Sequence, residues 1–259
     1  MKLGFVGAGN MAGGLARGWA AAQGEPGAPE SMAFADADPA KARQLAEEVG
    51  GEAIEGNLAV ADNSDLVILA VKPSVLDEVA PDLVQAGTPV LSILAGTSLK
   101  TLHEAIPGID LIRVMPNLGA QLRQAVLCVA FPEGTDDARR RRITQLLGLV
   151  GEVIELGESL IDAATAIMGC SPGYLALMAE VLVEAGVREG LTEDQTRRMV
   201  SKAMSATGGL LELHEPGALK RAVASPGGMT EAGLNALEER KIHEILLAAV
   251  DASLEKVRK

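Results

Sequence analysis

Cysteine is scarce in this chain: only Cys128 and Cys170 occur among 259 residues, far apart and without CxxC spacing. That argues against a disulfide framework or a thiolate zinc site and fits a reducing compartment. Histidine is almost as rare. His103, His214 and His243 stand isolated in sequence, so no metal site is expected. Positive charge is in deficit, with 23 Lys and Arg against 35 Asp and Glu and a formal net charge of −12. So acidic a chain is a poor partner for nucleic acid or an anionic membrane. Any anionic small molecule must be held by local devices such as helix N-termini. Long apolar runs are missing too, because charges or prolines interrupt each one before it reaches membrane-span length. No basic segment or cleavage site precedes the first strand pattern, so a cytoplasmic location is expected.

What is present is 48% apolar residue content, enough for one large or two medium domains with a proper core. The first half alternates strand and helix patterns. "KLGFV", "MAFAD", "LVILAV", "PVLSILAG", "LIRVMPN", "AVLCVAF" and "EVIEL" read as strands. Several are continuously apolar, as a parallel sheet covered on both faces requires. "DPAKARQLAEEVG" reads as a helix with Asp38 as N-cap, Pro39 at its first position and Gly50 just past its end. After residue 157 strand patterns vanish. Residues 160–190, 192–214 and 229–258 show helical spacing, and Thr192 with Gln195 forms a capping-box signature. The expected fold class is α/β, with a Rossmann-type doubly wound sheet over 1–157 and an all-helical domain over 158–259.

"GFVGAGNMAGG" places Gly7, Gly9 and Ala12 in a G-x-G-x-x-A arrangement between a strand and a helix. Gly7 permits the tight turn, Gly9 lets backbone approach a pyrophosphate, and Ala12 lets the helix sit close on the strand. Ala8, Asn10 and Met11 belong to the same loop. Asp36, at the end of the second strand, is placed to bind a ribose hydroxyl. Further cofactor contacts are expected from Asn57 and at the tips of later strands: Ala70, Val71, Lys72 and Pro73, then Ala95 and Gly96, then Asn117. The bland alternatives are a structural glycine turn, a solvated strand-end lysine at 72 and an Asx-turn residue at 117. The four arginines of "DDARRRR" read as a solvated helix face.

One stretch is odd: "VASPGGMTEAGLNALEE" breaks a helical region with Ser-Pro-Gly-Gly and then reads as helix again. In order with "FVGAGNMAGGLARG", "LVILAVKP", "LIRVMPN" and "SPGYLALMAEVLVEAGVREGL", it resembles the pyrroline-5-carboxylate reductase family over essentially the whole chain. The resemblance implies reduction of 1-pyrroline-5-carboxylate to L-proline, the last step of proline synthesis, with NADH or NADPH. It implies a dimer, or a multiple of dimers, interlocked through the helical domain, with active sites near the subunit contact. By the same resemblance Thr230 is the expected catalytic donor. Ser225, Gly227, Gly228 and Met229 are expected to hold the substrate carboxylate through hydroxyl and backbone groups. Such a slot needs no lysine or arginine; its plain alternative is an ordinary helix–helix turn.

Three places in the chain depart from the family pattern. "GCSPGY" puts Cys170 and Ser171 where serine and glycine usually stand at a position expected to line the substrate site. "MPNLGA" loses a hydroxyl and a proline beside Asn117. Ala37 replaces a frequent arginine, so NADH is expected to be favoured over NADPH. The alternatives are a reductase of another cyclic imine and a non-catalytic cofactor-binding paralogue. Hydroxyacid dehydrogenases of similar layout use a lysine on the first long helix of the second domain, and 172–187 contains none. Cys170, with no histidine nearby in sequence, is not expected to act as a nucleophile.

Overall fold

The computed structural model describes residues 1–257, in two units, one formed by Met1–Gly169 and the other by Cys170–Lys256. The first is built on β1 (Lys2–Val6), β2 (Ser31–Ala35), β3 (Glu52–Ala53), β4 (Leu66–Leu69), β5 (Val90–Ser92), β6 (Leu111–Met115), β7 (Ala125–Ala130) and β8 (Gly151–Glu155). Its helices are α1 (Asn10–Ala21), α2 (Pro39–Val49), α3 (Asn57–Asp62), α4 (Leu76–Ala86), α5 (Leu99–Ala105), α6 (Asp137–Gly148) and α7 (Ile161–Ala164). The strands form one sheet in the order 3-2-1-4-5-6-7-8. Successive residues of a strand face opposite sides, and the core divides accordingly. Phe5, Ile68, Leu91 and Ile112 join Trp19 and Phe34 in one cluster; their neighbours Val6, Leu69, Val90 and Leu111 join Leu83 and Leu102 in another. Covering on both faces is why these strands read as largely apolar rather than alternating runs.

The parallel reading holds for β1 to β6, but β7 runs antiparallel to β6. Only a short 3-10 turn, Leu118–Leu122, joins them, and a parallel neighbour would need a crossover of a dozen or more residues. The edge strand β3 has two exposed residues and no apolar pattern to announce it. Helix α2 starts and stops as read: Asp38 accepts from the Ala40 amide at 3.0 Å, and Gly50 is left-handed at φ 71°.

The run read as one helix over 160–190 is not continuous. A 3-10 turn, Glu158–Leu160, leads into α7, then a π-helical turn, Thr165–Gly169, and only then α8 (Ser171–Arg188). Against the sequence expectation, Glu158–Arg188 is long and apolar enough, by length and composition, to cross a membrane. The segment 158–169 packs with the sheet unit, where Ile161 and Met168 join Met115, Cys128 and Ala130. The compact units divide at 169/170.

The second unit contains α8, α9 (Glu193–Leu213), α10 (Pro216–Val223), α11 (Met229–Glu239) and α12 (Ile242–Val257). The capping box at Thr192 and Gln195 opens α9. A Cβ on Gly186 would lie 2.3 Å from Thr196 Cγ2, so α8 and α9 approach closely there. Thr196 is the only buried residue among those described in 170–256. Leu177, Val181, Leu182, Leu213 and Leu247 are all more than half exposed. A helical unit without one buried apolar side chain lacks a core of its own.

Candidate functional site

A cleft of about 580 Å³ lies at the carboxyl ends of β1, β2 and β4, and Gly7, Gly9, Asp36, Asn57, Ala70, Val71 and Lys72 are among its lining residues. This is where the strand order reverses, with β1 between β2 and β4. Open α/β sheets bind ligands at that switch point. Gly7 sits at φ +101°, and a Cβ there would lie 2.7 Å from the Ala70 carbonyl oxygen. Gly9 is extended, and a Cβ on it would meet nothing within 4 Å. Helix α1 makes its first bond from the Gly13 amide to the Gly9 carbonyl at 2.9 Å. The amides of Asn10, Met11 and Ala12 therefore open the helix with no intrahelical acceptor. An unobstructed loop, unsatisfied amides at a helix start and an adjoining cleft fit a pyrophosphate.

Asp36 has a second task that the sequence did not show. One carboxylate oxygen accepts from the Ala8 amide at 2.8 Å and the other from the Asp38 amide at 2.9 Å. It thus ties the glycine loop to the tip of β2. A carboxylate offers about four acceptor positions, so two remain for a ribose diol. Lys41 lines the same cleft, and Arg43 lines an adjoining hollow with Asp36. Lys72 and Pro73 are exposed at the tip of β4. Ala95 and Gly96 follow β5, with Gly96 left-handed at φ +67°.

Asn117 is engaged within the fold. Its carbonyl oxygen accepts from the amides of Gly119 at 3.2 Å and Val126 at 3.3 Å, and its nitrogen donates to the Met168 carbonyl at 3.1 Å. The Asx-turn alternative is therefore realised, with one amide proton left over. Arg140 pairs with Glu155 and lies 4.9 Å over the Phe131 ring, while Arg139 pairs with Asp110; these two arginines of the run are committed locally.

In the second unit the turn at 225–228 leads into α11. The Gly228 amide donates to the Ser225 carbonyl at 2.9 Å. The Gly227 amide donates to the Glu231 carboxylate at 2.7 Å, with Gly227 left-handed at φ +71°. Two of the amides expected to face a substrate carboxylate are thus already occupied. The amides of Met229, Thr230 and Glu231, one residue further on, open the helix without intrahelical acceptors. Gly228 is the N-cap and provides no side-chain cap. Thr230 and Ser225 are exposed, and Met229 is 94% exposed. Glu231 was missed, although a glutamate at the third helical position is a known signal for bonding back to the preceding turn.

Cys170 and Ser171 stand at the start of α8, where the Cys170 carbonyl accepts from the Gly173 amide at 2.9 Å. Tyr174 is accounted for structurally: its hydroxyl lies 2.6 Å from Ser253 Oγ and 3.2 Å from the Ala249 carbonyl. The other cysteine, Cys128, is buried, and burial pushes its thiol pKa up.

Residues 158–259 match the family described as pyrroline-5-carboxylate reductase dimerisation. Residues 2–96 match the family described as NADP oxidoreductase, coenzyme F420-dependent. A pyrroline-5-carboxylate reductase of Thermus thermophilus is 33% identical, over 98% of this chain and 96% of that protein. One from Arabidopsis thaliana is 31% identical, over 99% and 94%. Among solved structures, the Streptococcus pyogenes 1-pyrroline-5-carboxylate reductase superposes with a TM-score of 0.88 at 28% identity, covering 99% of this chain and 98% of that one. The Plasmodium falciparum pyrroline carboxylate reductase, solved with NADP bound, gives 0.87 at 25% identity, covering 99% and 97%.

Proposed function

The chain belongs to the pyrroline-5-carboxylate reductase family and reduces 1-pyrroline-5-carboxylate to L-proline with a reduced nicotinamide cofactor; we propose that it divides this work between its two units. The cleft of the first unit takes the dinucleotide. Amides at the start of α1 receive the pyrophosphate, and Asp36 receives the adenosine ribose. The turn before α11 takes the imine carboxylate, and this turn is the observation that carries the substrate reading. It offers three unsatisfied amides, of Met229, Thr230 and Glu231, at the positive end of a helix dipole. Ser225 Oγ is the neighbouring hydroxyl donor. Cys170 and Ser171 belong to the same proposed substrate site, and no metal takes part.

When bound, the reduced nicotinamide supplies the hydride that the imine carbon takes up. The imine nitrogen carries the proton, which makes the adjoining carbon electrophilic and leaves a secondary amine in the product. Thr230 Oγ1 hydrogen-bonds that nitrogen and orients the ring. Little further chemistry is asked of the protein, because placing the two reactants at contact distance supplies most of the rate. Thr230→Ala is expected to lower kcat by about tenfold to a hundredfold, the worth of one hydrogen bond to a charged group, with the melting temperature nearly unchanged. Steady-state kinetics with the imine check this, and an unchanged kcat/KM removes Thr230 from the site.

NADH is the preferred cofactor in this reading. Asp36 and Asp38 flank Ala37 where an adenosine 2′-phosphate needs a cation. A like-charge pair at about 4 Å costs roughly 1–4 kcal/mol between the dielectric of water and that of a protein surface. Lys41 and Arg43, both beside Asp36, offset part of that cost. The expected preference is therefore near the low end, about fivefold in kcat/KM. The two cofactors compared at one pH and salt concentration decide it. A clear preference for NADPH would mean that Lys41 or Arg43 reaches the phosphate.

The assembly is a homodimer or a multiple of dimers in the cytoplasm. The exposed apolar faces of α8, α9 and α12 require cover, and a second copy of the same helices supplies it. Light scattering is expected to give an even number of chains; an active, monodisperse monomer refutes the assembly.

A further inference from the structure

Arg113 lies in the middle of β6, in a strand whose other residues are all apolar. Its side chain is 2% exposed. One guanidinium nitrogen donates to Glu158 Oε1 at 2.9 Å and another to Asp162 Oδ1 at 2.7 Å. Glu158 Oε1 also accepts from the amide of Leu99, the first residue of α5, at 2.8 Å. Among the described residues, Arg113 Nε and Glu158 Oε2 are buried without a hydrogen-bond partner. An arrangement with orphaned polar atoms is a poor way to gain stability. Buried ion pairs replaced by apolar groups of similar volume are often neutral or more stable, because desolvation outweighs attraction. Its geometry is more informative. The planar guanidinium fork fixes two carboxylates at once, which the point charge of a lysine does not.

The groups joined in this way surround one place in the fold. Glu158 connects through Leu99 to the loop that follows β5 and carries Ala95 and Gly96. Arg113 lies four residues before Asn117, at the tip of β6. Asn117 in turn holds the Met168 carbonyl in the π-helical turn that follows α7. We propose that Arg113 is a positioning residue for hydride transfer, which locks the β5 and β6 tips and the segment 158–169 into one frame. The frame sets the floor on which the nicotinamide ring rests. This rests on the reading that the strand tips from β4 to β6 receive the nicotinamide, whereas the adenosine half lies at β1 and β2.

The test separates the two halves of the cofactor. In the full-length enzyme, Arg113→Met is expected to lower kcat by about tenfold to a hundredfold, the usual consequence of misplacing a reactant by about 1 Å. The dissociation constant for ADP-ribose should stay within about twofold, since its contacts are remote and distant sites act independently. The isotope effect on kcat with cofactor deuterated at C4 should rise, as hydride transfer becomes slower relative to product release. Arg113→Lys should not restore kcat. Glu158→Gln, which keeps an acceptor for Leu99 and the guanidinium, should fall between wild type and Arg113→Met. If Arg113→Met does not fold, Glu158→Gln and Asp162→Asn at the partly exposed partners carry the same comparison. A lowered melting temperature with unchanged kcat and isotope effect would overturn the proposal and leave the triad a purely structural feature. Ala95→Leu tests the underlying reading separately. Unchanged kcat in that variant would remove the nicotinamide from the β5 tip, whatever Arg113 does.

Discussion

Gly7→Ala is expected to weaken cofactor binding by more than about tenfold and to disturb the fold, and Gly9→Ala to weaken binding without touching the fold. The two glycines of the G-x-G-x-x-A loop differ in backbone conformation and in the space before them. Gly7 adopts φ +101° with the Ala70 carbonyl oxygen 2.7 Å from where a Cβ would stand. A side chain there incurs about 1–3 kcal/mol of backbone strain and collides with backbone of β4's extension, which has no rotamer with which to yield. The loop must shift, and with it the Ala8 amide that bonds Asp36. The amides proposed for the pyrophosphate and the Asp36 carboxylate proposed for the ribose then lose register. Gly9 has φ −77°, which any residue adopts, and open space in front of it. Alanine at 9 therefore reports only on what approaches from outside. Fluorescence titration with NADH should show binding weakened by more than about tenfold for Gly7→Ala, the equivalent of 1.4 kcal/mol, with a reduced melting temperature. Gly9→Ala should show weakened binding at an unchanged melting temperature. Wild-type NADH affinity in Gly9→Ala would place the pyrophosphate elsewhere.

Much of the architecture was legible because local and global signals agree. Asp38, Pro39 and Gly50 bracket α2 by capping rules that need only neighbours in sequence. Continuous apolar runs marked β4 and β7 because both faces of the sheet are covered. What escaped reading depends on partners distant in sequence. The direction of β7 follows from the shortness of the turn before it. The two-residue β3 has neither length nor pattern. The π-helical turn at Thr165–Gly169 interrupts a run whose periodicity looks uniform. Arg113 gave one signal that went unread: a charge in the middle of "LIRVM" must be buried if the strand is central. Its partners lie 45 and 49 residues away and could not be named from spacing. At the candidate site the residue types were legible, but their existing bonds were not. Asp36, Asn117 and Gly227 each turn out to serve the fold as well.

Gly228→Val is expected to cost more activity than any other single change in the turn before α11. Gly228 ends the turn with its amide on the Ser225 carbonyl, and a Cβ would lie 2.9 Å from that same oxygen. Its φ of −85° is open to any residue, so the obstacle is contact rather than strain. Even alanine there forces the Ser225 backbone to shift. Valine is branched at Cβ and forces Ser225 away, which removes the serine hydroxyl and re-aims the amides of Met229 and Thr230. In the proposed site only backbone amides and the Ser225 hydroxyl serve the carboxylate, and residues 224–228 include no lysine or arginine to take over. Loss of two or more hydrogen bonds to a charged group corresponds to more than about a hundredfold in kcat/KM for the imine. NADH affinity should be unchanged, since the proposed dinucleotide contacts all belong to the first unit. The Gly227–Glu231 bond provides a graded comparison: Glu231→Ala frees the Gly227 amide and should perturb KM for the imine far less than valine at 228. Imine kinetics and NADH titration on the same preparations separate the outcomes. Retained imine turnover in a folded Gly228→Val enzyme would show that the substrate carboxylate is held elsewhere and that this turn merely joins two helices.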